Sequence, residues 1–251
     1  MPSRVERERE VYDHGALRRD AYNRVLHHAQ YLWEIEKIEL VTKVIGSAKA
    51  KRILELGSNN WFKWFEQNGV FLGDLHCINI SEAELEKGRS RSALAAFNHP
   101  TFHLMDAHEL AFPDDHFDVV YGGSILHHLD LERALKEVNR TLKNGGRIVF
   151  VEPLDINPVA KLVRLLTPFA RTADEVPFTR KQLGLLSAVF DVEFHMQQLL
   201  SVPVGVLSGL VADKPDNWMT RSAYRLDRLL VRLPWMGYLS RRVIIIGSSM
   251  K

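Results

Sequence analysis

Residues 105–120 read MDAHELAFPDDHFDVV, residues 124–129 read SILHHL and residues 142–147 read LKNGGR. The run at 117–121 has the length and apolarity of a buried strand. Leu131, Ala134, Leu135, Val138 and Leu142 then recur on one helical face, closed by Asn144-Gly145-Gly146, and residues 147–151 are apolar at strand length again. Strand, helix, strand in that order is the unit from which parallel sheets are built.

The same alternation extends in both directions. Upstream, 52–56 is a strand, 61–68 a short helix with Gly69 as its stop, and 75–80 a second strand. Ser81 and Glu84 have capping-box spacing, which predicts a helix there, and 101–105 is a further strand. Leu26, Ala29, Trp33, Leu40 and Val44 predict an amphipathic helix ending at Gly46, preceded by a charged, solvated arm. Downstream, 189–196 and 243–246 read as strands and 221–233 as a helix; 157–177, with three prolines, reads as a loop or lid. The expected fold is α/β: a doubly wound, mostly parallel, seven-stranded sheet in one domain. Its parts are an N-terminal helical arm (1–46), a core (47–156), and a lid, C-terminal helical cap and last two strands (157–251).

Composition narrows the function classes. The 251 residues suffice for one large core, and 46% hydrophobic with 25% charged residues is a globular balance. With 33 basic against 31 acidic residues no global field draws nucleic acid, so none is expected as a partner. Cys77 is the only cysteine, which excludes an internal disulfide and a cysteine zinc cluster, and the histidines lack metal-ligand spacing, so no catalytic metal is expected. The start lacks a signal-peptide core and no apolar run is of membrane-spanning length, so a cytoplasmic protein is expected.

Ligands of open parallel sheets bind beyond the carboxyl ends of the strands, where the topology switches. The turn after the first strand is Glu55-Leu56-Gly57-Ser58-Asn59-Asn60-Trp61. Gly57 permits close approach of backbone to ligand, Glu55 can accept from a cationic amine, and Asn79 ends the second strand where such folds bond ribose hydroxyls. The order and spacing of these blocks, with those quoted first, closely resemble the class I S-adenosylmethionine-dependent methyltransferases, strongly over 52–154 and loosely elsewhere.

That resemblance implies a Rossmann-like methyltransferase fold, S-adenosyl-L-methionine as cofactor and a small-molecule substrate. It implies that Asp106 bonds the adenine amino group, with Ala107 beside the ring. Glu55, Gly57 and Asn59 line the methionine end, Asn79 holds the ribose next to Ile80, and Ser124 contacts cofactor or substrate. The sequence departs from the family pattern at Asn59 and Trp61, where glycines are usual, and at Asn79, where an acid is usual. Asn59 can preserve the turn by taking a left-handed conformation, whereas the Trp61 indole threatens to narrow the methionine pocket. These departures motivate a second hypothesis, a binding or scaffolding protein that keeps the fold without turnover. A nicotinamide-dependent oxidoreductase fits poorly, because the first turn lacks the required glycine spacing.

The expected reaction is transfer of the methyl group to an oxygen or nitrogen, with carbon as the lesser alternative, of a small metabolite such as a sugar or a lipid-linked intermediate. On oxygen or nitrogen it is an in-line displacement helped by positioning and a general base. His127 is the candidate base, the alternative being that one histidine packs and the other faces solvent; Glu152 is a candidate to orient substrate or to cap the next element. Tyr12 and Tyr22 on the arm are candidates to close over the site, and Arg171, Asp174 and Glu175 in the lid are candidates to contact substrate, the alternative being a solvated charged face. Between residues 199 and 238, Leu226, Leu229, Leu230 and Leu233 share one helical face and Arg225, Arg228 and Arg232 another. This make-up suits an interfacial helix on anionic lipid (or contact with a lipid-linked substrate), a cap over the sheet, or a homodimer contact.

Overall fold

A sheet covered on both faces needs apolar side chains pointing both ways. The computed structural model describes residues 4–13, 20–45, 52–154, 157, 161–162, 165–166, 178–233 and 235–251; within the first two helices, side chains are described for 6–10 and 26–45. Tyr12, Tyr22, Arg171, Asp174 and Glu175 lie outside these, as does most of the expected lid. The strands are β1 (Arg52–Leu56), β2 (Asp74–Asn79), β3 (Thr101–Leu104), β4 (Phe117–Gly123), β5 (Leu142–Pro153), β6 (Phe190–Gln197) and β7 (Arg242–Ser249). They form one seven-stranded sheet in the order β3-β2-β1-β4-β5-β7-β6. The first five are parallel, and β7 runs antiparallel to β5 and β6. The doubly wound, mostly parallel sheet read from the sequence is therefore the observed one.

The helices are α1 (Arg4–Asp13), α2 (Asp20–Ile45), α3 (Asn60–Trp64), α4 (Glu82–Ser92), α5 (Leu131–Thr141), α6 (Arg180–Val189), α7 (Ser201–Val211) and α8 (Trp218–Leu230). Period-two alternation divides the core. Val120, Ile148, Phe150 and Ile245 face α5 and α6, while Val119, Tyr121, Val149, Val151 and Ile244 face α2 and α3. The buried stripe of α2 runs Leu26, Ala29, Trp33, Lys37, Val41, Val44 and Ile45. A lysine thus occupies a position where helical packing calls for an apolar side chain.

Local details depart from the sequence expectation. Residues 142–147 are not a helix stop followed by a strand, because β5 already pairs at Leu142 with Phe117. It loops out three extra residues before Arg147 meets Val119, aided by Gly145 at φ 66°. The 61–68 helix splits into α3 and a 3-10 turn, Glu66–Asn68, ended by Gly69 at φ 67°. Ser81 caps α4 by accepting from the Glu84 amide at 3.2 Å, but the Glu84 carboxylate turns to Asn59 and Lys87 instead of completing the box. In the C-terminal part, α6 and α7 were not foreseen, and the 221–233 helix begins earlier, at Trp218.

Candidate active site

Strand order reverses between β1 and β4, and the turns that leave their carboxyl ends diverge there. A cavity of about 840 Å³ occupies this point, in the upper part of the range for sites enclosing small ligands. Gly57, Ser58, Asn59, Asn79, Ile80, Asp106, Ala107, Ser124 and His128 all line it.

The turn after β1 is held from behind. Glu55 is fully buried and does not reach the cavity. Its Oε1 accepts from the amides of Asn59 (3.1 Å) and Asn60 (2.8 Å), and its Oε2 from the Trp61 amide (2.9 Å) and the Tyr121 hydroxyl (2.6 Å). Burial pushes the Glu55 carboxyl above its ordinary value, and these donors oppose the shift. Instead of lining the cavity, Glu55 anchors the start of α3 and fixes the loop that does line it. Gly57 sits at φ 108°, closing the turn through its amide to Ile78 O at 2.9 Å.

Asn59 adopts φ −136°, not the left-handed conformation expected of it, and its service is through the side chain. Its Nδ2 donates to Glu84 Oε2 at 2.9 Å and its Oδ1 accepts from Arg91, tying the loop to α4. Trp61 is fully buried on the α2 side of the sheet, its indole donating to Ser58 O at 3.1 Å, and is not among the lining residues. The expected narrowing does not occur. Its neighbours Phe62 and Trp64 are the aromatics that reach the cavity.

Asn79 accepts from the Ser81 amide at 3.0 Å and donates to Ser58 Oγ at 3.1 Å, which fixes its amide at the cavity rim. Asp106 is fixed by a residue the sequence did not single out. His108 Nε2 accepts from the Asp130 amide at 2.8 Å, so its Nδ1 carries the proton and donates to Asp106 Oδ1 at 2.6 Å. The bond from His108 holds the Asp106 carboxyl below its ordinary value. Asp106 Oδ2 has no hydrogen-bond partner among the described residues and is left to accept from a ligand. Ile80, Met105, Ala107 and Leu129 supply apolar wall around it.

At the end of β4, Ser124 is exposed at φ 54°, a strained conformation for serine, and begins the turn that carries the paired histidines. Glu152, fully buried at the end of β5, clamps this turn as Glu55 clamps the first. It accepts from the amides of Ile125 (3.0 Å) and Leu126 (2.9 Å) and from His127 Nδ1 (2.6 Å). His127 and Glu152 therefore lie behind the wall, and His128 lies in it. His128 Nδ1 is 3.2 Å from Oε1 of buried Glu8, so the N-terminal arm does reach the site, through Glu8.

The far end of the cavity is built by α2 and β7, elements distant in sequence. Lys37 Nζ lies 4.8 Å from the Trp33 ring and 4.9 Å from the Trp64 ring and pairs with Glu34; the Arg242 guanidinium lies 4.6 Å from Trp33. Burial pushes the Lys37 ammonium below its ordinary value, and nearby Arg242 and Lys63 push the same way against Glu34. The helical spacing that predicted α2 also covers Lys37, yet nothing in it marked Lys37 as part of the site.

A seven-stranded sheet with β7 reversed, a glycine turn after β1 and an available carboxylate after β3 make up the architecture of the methyltransferase class. Residues 54–150 match the methyltransferase-domain family. A demethylmenaquinone methyltransferase of Symbiobacterium thermophilum is 31% identical over 170 residues, covering 65% of this chain and 66% of that protein. A sarcosine/dimethylglycine N-methyltransferase of Halorhodospira halochloris is 29% identical over 129 residues, covering 47% and 45%. Geranyl diphosphate C-methyltransferase from Streptomyces coelicolor A3(2), crystallised with Mg2+, geranyl diphosphate and S-adenosyl-L-homocysteine, shares the fold. Its TM-score is 0.57 at 12% identity, over 86% of this chain and 78% of that one. The chain spans between about half and just under two thirds of the length of the two relatives named. Residues 54–150 are therefore a methyltransferase domain, and the fold around them is that of class I S-adenosylmethionine-dependent methyltransferases. No described helix is long and apolar enough to cross a membrane.

Proposed function

We propose that this protein transfers the methyl group of S-adenosyl-L-methionine to the oxygen of a small hydroxyl-bearing acceptor, with His128 as general base. The observation that carries this reading is the joint presence, in the lining of one cavity, of two unlike sets of groups: Gly57, Asn79 and Asp106, and Trp33, Lys37, Arg242 and His128. The residues present fit the cofactor, since Asp106 keeps one carboxylate oxygen without a partner and the Trp61 indole stays out of the pocket. Asp106 would hold the adenine amino group, Asn79 the ribose, and the turn at Gly57 to Asn60 the methionine portion. When bound, the cofactor supplies an electrophilic methyl group on a sulfonium.

The protein's own part is to bind, orient and deprotonate. His128 takes the hydroxyl proton, and the charge of the Glu8 carboxylate 3.2 Å from its Nδ1 stabilises the imidazolium that results. Negative charge then grows on the acceptor oxygen, and Arg242 is placed to offset it. Charge also decides between acceptor atoms. Methylated nitrogen gains positive charge, which the Arg242 guanidinium in the cavity wall disfavours, whereas an oxygen nucleophile is favoured by it; Lys37 is already paired with Glu34. Similarity to a demethylmenaquinone methyltransferase supports an acceptor of the quinone kind; such relatives include C-methyltransferases, so label found on ring carbon of such an acceptor would overturn the choice of oxygen.

The test has two parts, a calorimetric titration with S-adenosylmethionine and S-adenosylhomocysteine and a labelled-methyl assay over matched phenols, hydroquinones and amines. Binding of both nucleosides with label passing to hydroxyl compounds is the expected result. Absence of binding by folded protein would favour the scaffolding alternative, and label passing to amines alone would overturn the choice of oxygen.

A further inference from the structure

Helix α8 is amphipathic the wrong way round for a cap over the sheet. It buries Thr220, Ala223 and Asp227, and Asp227 is spent on capping α7, accepting from the amides of Leu199 (3.0 Å), Leu200 (2.5 Å) and Ser201 (3.1 Å). The apolar side chains face outward instead. Trp218 is 76% exposed, Leu229 60%, and Leu226 and Leu233 are exposed on the same stripe. Leu207, Leu210 and Val211 of α7, which packs against α8, are exposed as well, as is Trp235 at 63%. Such a concentration of exposed large apolar side chains marks a binding surface.

The charges on this surface say what covers it. Arg225, Arg228 and Arg232 follow the leucine stripe one residue out of phase, are all exposed, and make no side-chain hydrogen bond or ion pair among the described residues. Between residues 218 and 235 the only acid is the buried Asp227. In a two-fold contact with a second copy, this face would meet itself and bring arginines together with no exposed acid on α8 to receive them; of the exposed acids between α7 and α8, Asp216 is already paired with Arg221 and Asp213 lies off the helix. A surface of anionic headgroups over hydrocarbon satisfies both stripes: arginines reach phosphates while leucines and indoles enter the acyl boundary.

We propose that α8, with the end of α7 and Trp235, is a docking surface for an anionic phospholipid bilayer. It stands on exposure and charge, independently of the methyl acceptor. Vesicle flotation tests it, with tryptophan fluorescence followed in parallel, using phosphatidylglycerol mixed with phosphatidylcholine against phosphatidylcholine alone. Wild-type protein is expected to bind the anionic vesicles, with a blue shift, and to bind the neutral ones far less. Joint Arg225→Gln, Arg228→Gln and Arg232→Gln should weaken binding on the order of a hundredfold, and joint Leu226→Ser, Leu229→Ser and Leu233→Ser should remove the blue shift. Raising salt from about 0.05 to about 0.5 M should weaken wild-type binding without any substitution. No binding to anionic vesicles, or equal binding to neutral ones, would overturn the proposal. So would a wild-type dimer that the leucine substitutions split into monomers, which would assign the face to a second copy.

Discussion

Replacement of Glu152 separates a clamp from a catalyst. Its carboxylate accepts from two backbone amides at 3.0 and 2.9 Å and from the His127 ring at 2.6 Å, with no exposure to solvent. In Glu152→Gln the side-chain oxygen can still accept from both amides, so the loss is one charge-assisted bond to His127, about 2 kcal/mol. In Glu152→Ala all three donors lose their partner in a buried place, at about 4 kcal/mol. For a chain of this size each kcal/mol lowers the melting temperature by about 2–4 °C, so falls of about 4–8 °C for Gln and about 8–16 °C for Ala are expected. Because the turn carries Ser124, Ile125 and His128 into the cavity, turnover should follow the same order, mild for Gln and severe for Ala. Differential scanning calorimetry and a single-turnover methylation assay measure the two effects. A Gln variant with native melting temperature and turnover as low as that of the Ala variant would refute the clamp and return Glu152 to the chemistry.

Asp106→Ala should weaken S-adenosylhomocysteine binding by about 10- to 100-fold in a calorimetric titration, the value of a hydrogen bond to a charged group. His128→Ala should lower kcat by about 10²- to 10⁴-fold with cofactor affinity nearly intact, while His127→Ala should act mainly on melting temperature. Gly57→Ala places a side chain on backbone at φ 108° and should cost about 1–3 kcal/mol, read by chemical denaturation together with a loss of cofactor affinity. His108 holds Asp106 below its ordinary 3.8, so the ionised carboxylate contributes to stability above that pH and is lost only as pH falls through the lower folded value. His108→Ala removes the bond that lowers the folded value, so this contribution at neutral pH and its acid-side loss should both shrink, which thermal unfolding between about pH 6 and about pH 2 would show.

Much of the scaffold was legible from local pattern, because strand and helix periods, a glycine after a helix and a serine before one act over a few residues. Those signals located all seven strands to within a few residues, except for the early start of β5 and the longer spans of β4 and β7, and they placed Gly69 and Ser81 as boundaries. They did not find α6 or α7: the buried positions of α7 include Ser201, Gly205 and Ser208, a small-residue face that hydrophobic periodicity does not register.

By itself the sequence determined the succession of the seven strands along the chain, the glycine turn after β1 and a set of polar residues following the strands. Only the tertiary structure decided which of those residues enter the cavity. Consecutive side chains in a tight turn point apart, so His127 and His128 differ in role although their sequence context is one dipeptide. Glu55 and Glu152 turn inward because the amides of the turns beyond them need acceptors, whereas Asp106 keeps an oxygen for a ligand because His108 occupies only the other. Lys37, Arg242 and Glu8 join the site across long stretches of chain, and such contacts are fixed by packing, which no local pattern encodes.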